Sequence, residues 1–360
     1  MYNNAIKILN IIEENGFNAY IIGGYPRNRY LGIDSSDIDI CTNAKPKDLK
    51  KIFKNFKISN EQYGSITIFV NNYSYEITTF RKEINYINNR KPNEFIYIDD
   101  INEDLKRRDF TINTICIDKN GNIIDKLNAK KDMNKKIIKM IGDPDFKLNQ
   151  DCLRILRAIR FATTLNFQID KTLLESIKKN GYLLKELSYF RKKQELDKIF
   201  SNKNCEYGIQ LIKRCNLDKY LDINLDNIVY IDDLLGIWSQ IKPKNYEFSK
   251  NEKILLNKIN EAKNKDILNN NILYQYGLYV CSIVASIRNI DKTLITKKYN
   301  NLKIHNSKEI KITIPLICKL FDKDINSSKK IFKEIERKII NNELNNNLED
   351  IKNYIFSTII

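Results

Sequence analysis

A single histidine occurs among the 360 residues of this chain. It is His305, in the polar stretch Lys303-Ile304-His305-Asn306-Ser307, with no Ser or Cys motif beside it. A hydrolytic triad built on histidine is therefore disfavoured, and His305 reads as a surface residue. The seven cysteines are odd in number, scattered, and never in a C-x-x-C pair. With one histidine, that pattern argues against a zinc site and for reduced core thiols in a cytosol-like, cytoplasmic compartment. No run of 18 apolar residues exists, so a membrane span is not expected. The N-terminal segment carries Glu13 and Glu14 and lacks the apolar run of a signal peptide.

What the chain does have is positive charge. There are 61 Lys and Arg against 45 Asp and Glu, a formal net charge of +16. That excess favours a polyanionic partner, although an AT-rich genome that encodes many lysines supplies part of it. At 42% hydrophobic the chain can bury a sizeable core, and its length suits two or three domains.

The first 140 or so residues alternate short β-branched runs with helical segments and read as a mixed α/β unit. Strands are expected at 18–22, 37–42, 65–71 and 73–80, the last two as a hairpin turning at Asn71-Asn72. A helix is expected at 46–53. After Asp143-Pro144 the strand signals fade. A strong helix is expected over 149–165, helical periodicity continues to the C-terminus, and 242–250 reads as a linker or long loop.

Asp37-Ile38-Asp39-Ile40 lies in one of the expected strands. Side chains alternate there, so Asp37 and Asp39 share a face while Ile38 and Ile40 point to the core. Two close carboxylates repel unless a cation lies between them, and oxygen donors on a rigid strand suit Mg²⁺. The same pattern alone also suits an edge strand with a solvated acidic face. Upstream, Gly23-Gly24 ends a strand and Pro26 fits the first turn of the next helix. Glycine permits close backbone approach to a phosphate, and Arg27 adds a forked donor. Strand, Gly-Gly, helix and D-x-D together form a layout for two-metal nucleotidyl transfer. Glu76 is a candidate third carboxylate; the bland alternative is a solvent-facing strand residue.

Gln150-Asp151-Cys152-Leu153-Arg154 begins a second motif, in which Asp151, Arg154, Arg157 and Arg160 recur every three residues. As helix neighbours the arginines repel one another, which a solvated stripe tolerates and an anionic partner relieves. Asp151 with Arg154 also has the donor and acceptor pattern to read cytosine and adenine, whose edges present an amino group beside a ring nitrogen.

These segments, in order, resemble class II tRNA nucleotidyltransferases, the CCA-adding enzymes of the polymerase-β superfamily, which also include bacterial poly(A) polymerases. The resemblance rests on Gly23-Gly24-Tyr25-Pro26-Arg27-Asn28, Asp37-Ile38-Asp39, Tyr63-Gly64-Ser65-Ile66-Thr67 and Glu76-Ile77-Thr78-Thr79-Phe80-Arg81. It extends through Arg107-Arg108-Asp109-Phe110-Thr111-Ile112-Asn113 and Gln150-Asp151-Cys152-Leu153-Arg154, with a looser match at 188–195. It implies an α+β architecture: a polymerase-β-like nucleotidyltransferase head with a mixed sheet at 1–140, then an all-helical neck at 141–200 and a helical body and tail at 201–360. It implies metal binding by Asp37 and Asp39 with Mg²⁺ as cofactor. Gly23, Gly24, Arg27, Arg108 and Asp109 would contact nucleotide, Asp151 and Arg154 would read the base, and Arg157 and Arg160 would support it. It implies tRNA, CTP and ATP as partners and template-independent addition of C, C and A to tRNA. The alternatives are an A-adding enzyme, a poly(A) polymerase, or an inactive RNA-binding protein. Asn28 and Gln150 depart from the family's usual Asp and Glu. The segment 80–92, with Tyr86 and Arg90, resembles the family's flexible loop.

Overall fold

The computed structural model of the chain describes residues 1–54, 57–62, 64–87, 91–241, 243 and 245–358, with the backbone alone described at 57–62, 83, 85–87, 91–93 and 358. The chain divides into two compact units, Met1–Leu225 with Lys244–Tyr246, and Asp226–Pro243 with Glu247–Ile360.

The first unit contains a sheet of seven strands in the order β3-β4-β5-β2-β1-β8-β9. These are β1 (Ala19–Ile22), β2 (Ile38–Thr42), β3 (Lys57–Gln62), β4 (Ser65–Val70), β5 (Tyr73–Thr79), β8 (Cys116–Ile117) and β9 (Ile123–Ile124). The sheet is mixed: β2 and β5 run parallel, whereas β1 is antiparallel to both β2 and β8. Alternation decides its two faces. Ile21, Ile38, Ile40, Ile66, Ile68 and Ile77 pack with Ile8, Leu9 and Ile12 of helix α1 (Tyr2–Glu14) in one buried cluster. Each such side chain contributes about 1.5–3 kcal/mol by leaving water. The other face carries Ile22, Cys41, Phe80, Leu105 and Cys116 in a smaller cluster, and Asp39 lies on that side of β2.

The hairpin expected at Asn71-Asn72 is present, with φ of 48° and 66° and Val70 opposite Tyr73. Both central residues are left-handed, as a twist-matched two-residue turn needs. Among the strands not foreseen are β3 and the pair that follows β5. The edge strand β3 is polar apart from Ile58, so its pairing with β4, not its pattern, makes it a strand. The segment expected as a flexible loop forms strands β6 (Arg81–Ile87) and β7 (Lys91–Tyr97), paired from Arg81↔Tyr97 to Ile87↔Lys91. Arg90 and the Tyr86 side chain lie outside the described residues.

Helix α2 (Gly24–Tyr30) follows β1, and α3 (Pro46–Ile52) follows β2. After α4 (Ile101–Arg107) and α5 (Ala129–Asn134), short strands β10 (Ile137–Ile138) and β11 (Gln168–Ile169) pair in parallel. The expected helix over 149–165 is two helices, α6 (Pro144–Gln150) and α7 (Leu153–Leu165). Asp151 is extended at the break, with φ −147° and ψ 101°, and its Oδ1 accepts from the Leu153 N–H at 3.0 Å. That side-chain bond competes with continued helix, as short acidic residues do. Asp151 is thus not on one helical stripe with the arginines. Helices α8 (Lys171–Asn180), α9 (Tyr189–Phe200), α10 (Cys205–Arg214) and α11 (Asp218–Leu221) complete this unit.

The second unit is helical. Ile304, Ile317, Ile335, Ile339, Ile351 and Ile355 fill its core. Within the expected linker, Lys242 and Lys244 lie outside the described residues, while Lys250 begins a helix with a Ser249–Glu252 capping box. His305 is half-buried and not a free surface residue: its Nε2 lies 3.0 Å from the Tyr299 carbonyl. All seven cysteines are free thiols, six of them buried. Among the described residues no helix is long and apolar enough to cross a membrane.

Candidate active site

Strand β1 delivers the chain directly to Asp39. Ile22 pairs with Asp39 across β1 and β2, and Gly23 follows at φ 83°. A Cβ at Gly23 would lie 3.4 Å from Asp39 Oδ2. The positive φ favours glycine here, while the contact is an ordinary van der Waals one that places the turn beside the carboxylate. On the other side, Asp39 pairs with Glu76 of β5. Burial of the Asp39 carboxyl, then the field of Glu76, push its pKa up to about 6 against the pull of Arg108, with Asp37 adding to the rise. The residue remains open to solvent, which screens part of this effect. Asp37 is exposed, immediately before the strand. Among the described residues no three acidic, His or Cys groups converge in a ready-made cage. Crowded, solvent-reached carboxylates with oxygen donors alone nevertheless fit a hard divalent cation.

The loop after α4 supplies the cationic side. Asp104 is fully buried and accepts from the Arg81 backbone at 3.1 Å, Arg107 Nε at 2.8 Å and Arg108 Nη2 at 3.3 Å. One carboxylate thus orients two arginines. The buried Nε of Arg108 has no protein acceptor among the described residues. An unmade bond at so buried a donor is costly.

Asp109, 9% exposed, joins this loop to α7. Its Oδ2 accepts from Arg157, at 2.8 Å from Nε and 2.6 Å from Nη2. Its Oδ1 accepts from the Phe110 N–H at 2.8 Å and the Asn113 amide at 3.1 Å. Asn113 Oδ1 in turn accepts from Arg27 Nη1 at 2.6 Å. Arg27 Nε and Nη2 both donate to Asn28, at 3.0 and 2.8 Å. Arg160 pairs with Glu195 of α9 at 3.2 Å. The arginine stripe is therefore packed and paired, not solvated. Burial lowers the Arg27 pKa to about 10, helped by Arg160 and Arg157.

Asp151 and Arg154 make no direct pair. Arg154 is 6% exposed, and its guanidinium donates to the Lys147 carbonyl at 2.8 Å, Gln150 Oε1 at 3.3 Å and the Arg107 carbonyl at 3.4 Å. Three acceptors fix its plane and leave further N–H donors. Asp151 Oδ2 takes no protein donor among the described residues, and burial raises the Asp151 pKa despite the nearby Arg154.

The structure thus gathers Gly23, Asp39, Glu76 and Arg108 in one group and Arg27, Asp109, Arg157 and Arg160 in another, within which Asn113 joins Arg27 to Asp109. Asp104, Asn113, Glu195 and Phe161 had no assigned role in the sequence reading. Asn113 stands in the Arg107 to Asn113 motif, so a signal existed; Phe161 looked like an ordinary helix residue, and no pattern pointed to Asp104.

A family profile described as the Poly A polymerase head domain matches residues 19–139. A second, described as a probable RNA and SrmB-binding site of polymerase A, matches 166–223. A CCA-adding enzyme of Limosilactobacillus reuteri is 31% identical, covering 96% of this chain and 94% of that one. One of Ligilactobacillus salivarius is 30% identical over 86% of this chain and 85% of its own. A Bacillus pumilus CCA-adding enzyme is 38% identical over 59% of this chain, a match spanning 53% of the relative. In fold, the chain is similar to the Bacillus stearothermophilus CCA-adding enzyme in complex with CTP, with TM-score 0.86, 22% identity, and 99% of this chain and 96% of that one covered. It is also similar to the Thermotoga maritima CCA-adding enzyme complexed with tRNA, with TM-score 0.74, 20% identity, and coverage of 98% and 95%. With this extent of identity to its relatives, the chain belongs to the CCA-adding enzyme family.

Proposed function

We propose that this chain adds C, C and A to the 3′ end of tRNA, using CTP and ATP, without a nucleic-acid template. The observation that carries the chemistry is the approach of Gly23 to Asp39, which puts a glycine turn against a carboxylate on the same sheet. The product is inferred from relatives named CCA-adding enzyme that align over most of both chains.

In this reading, residues 1–140 form the catalytic head, 141–200 the base-recognising neck, and 201–360 the body and tail that hold tRNA. Asp37 and Asp39 hold divalent cations, with Mg²⁺ the fitting ion. When bound, the cations lower the cost of ionising the tRNA terminal hydroxyl and neutralise the triphosphate. Gly23 and Gly24 let the backbone lie close to the nucleotide. Arg27, Arg108, Arg157 and Arg160 offset the charge that builds up as the α-phosphate is attacked and pyrophosphate leaves. Asp109 orients Arg157 and reaches the ribose. Asp151 accepts from the base amino group, and Arg154, fixed by its three acceptors, donates to the ring nitrogen. Guanine and uracil present the opposite order and leave both groups unpaired. The cytoplasm is the site of action, in keeping with seven free thiols.

The test is to offer a tRNA lacking its 3′ end with CTP, ATP or both, and to sequence the product ends. CC from CTP alone and CCA from both are expected. Runs of A, or no incorporation, overturn the reading.

A further inference from the structure

Three guanidinium groups from two elements gather around one phenyl ring. The guanidinium carbons of Arg160, Arg27 and Arg157 lie 4.3, 5.1 and 5.5 Å from the Phe161 ring centroid. Phe161 itself is 8% exposed and is held edge-on by Phe110, with centroids 5.7 Å apart and planes at 78°. Phe110 follows Asp109, so the same loop fixes both the ring and the carboxylate that grips Arg157.

Three like charges this close repel one another. Their direct carboxylate partners number two, Asp109 for Arg157 and Glu195 for Arg160, while Arg27 has only neutral amides. Something other than ion pairing must help keep the third cation in place. The negative face of an aromatic ring does so: it attracts a guanidinium and stacks on its plane, leaving the N–H edges free to point elsewhere. A leucine of similar size would fill the space and supply no such attraction.

From this geometry we propose that Phe161 is a positioning residue for the nucleotide. Its ring holds Arg27, Arg157 and Arg160 in one fan, and the N–H donors that their protein partners leave over take the triphosphate. The inference rests on the nucleotidyl-transfer reading above and adds to it a residue that touches neither the reacting atoms nor a metal ion. Free of nucleotide, the ring offsets part of the repulsion within the fan; the incoming phosphates offset the rest.

The test replaces Phe161 with mono-, di- and trifluorinated phenylalanine in the full chain. Fluorine withdraws density from the ring face with little change of shape. The expected result is a stepwise rise in KM for CTP and ATP, about tenfold across the series, with tRNA affinity unchanged and a melting temperature that falls in the same order. F161L is the second variant, expected to match the trifluorinated protein in KM. A KM that does not follow fluorination, in protein that still adds nucleotides, overturns the role of the ring. Unmodified protein that adds no nucleotide overturns the underlying reading instead. If F161L fails to fold, the fluorinated series still decides.

Discussion

Arg157 of α7 places two N–H donors on a single carboxylate oxygen of Asp109, from Nε at 2.8 Å and Nη2 at 2.6 Å. The two residues are 48 apart in sequence, and their contact fixes the loop after α4 against the helix that carries Arg160 and Phe161. Burial opposes the charged form of Asp109, but Arg157, Asn113 and the Phe110 N–H more than compensate and hold its pKa down to about 2. A carboxyl whose folded pKa lies below its ordinary 3.8 stabilises the fold fully above that value and loses the contribution as pH falls toward 2. We expect Asp109→Asn to destabilise the protein at neutral pH by about 2 kcal/mol. The difference from the unaltered protein should vanish in acid. Denaturant titrations at several pH values between roughly 5 and 2 measure it; a gap that persists at the acid end contradicts the pairing.

Asp39 has the opposite sign. Its folded pKa, about 6, is raised above the ordinary 3.8, so its charge opposes folding of the cation-free protein above about 6 and has no effect below 3.8. Asp39→Asn is therefore expected to raise the melting temperature of cation-free protein at neutral pH while abolishing nucleotide incorporation and leaving tRNA affinity intact. Divalent-ion affinity of the unaltered protein should fall as pH drops through 6, because protons compete for the same oxygens. Gly23→Ala, whose Cβ meets Asp39 at 3.4 Å on a left-handed backbone, is expected to lower kcat at least about tenfold. Turnover retained in Asp39→Asn removes the metal assignment.

The fixed plane of Arg154 leads to a selectivity prediction. Arg154→Ala should lower the preference for CTP and ATP over UTP and GTP by about tenfold to a hundredfold, as one lost hydrogen bond at a buried edge warrants. Asp151, with its pKa raised by burial, becomes a donor when protonated. Acid should therefore erode the same preference in the unaltered protein. Misincorporation measured with each triphosphate alone checks both; an unchanged preference in Arg154→Ala places base reading elsewhere.

Much of this site was legible because its parts are local in the chain. Gly23-Gly24 and Asp37-Ile38-Asp39 announce a turn and an acidic strand face from spacing, and β1 and β2 are neighbours, so the expected juxtaposition followed. The Asn71-Asn72 hairpin was legible for the same reason: two left-handed positions in a row suit asparagine. The arginine spacing on α7 was also visible, as was the mainly helical character after Pro144.

Other features depended on partners distant in sequence. The β6–β7 pairing placed paired strands in a segment read as a loop. The Asp151 break was invisible because periodicity does not register a side chain competing for a backbone N–H. Whether the arginines of α7 faced water or protein turned on Asp109 and Glu195, which no pattern along the helix reveals.

The sequence by itself determined some of the elements and the chemistry available: a mixed α/β unit with a carboxylate pair, a glycine turn, and a helix rich in arginine. Spacing and side-chain type suffice for that, since both act over a few residues. Only the tertiary structure decided which charges are paired, which donors stay open, and that one phenyl ring lies among three guanidinium groups. Electrostatic and packing energies depend on distance in space, and folding sets those distances between residues far apart in the chain.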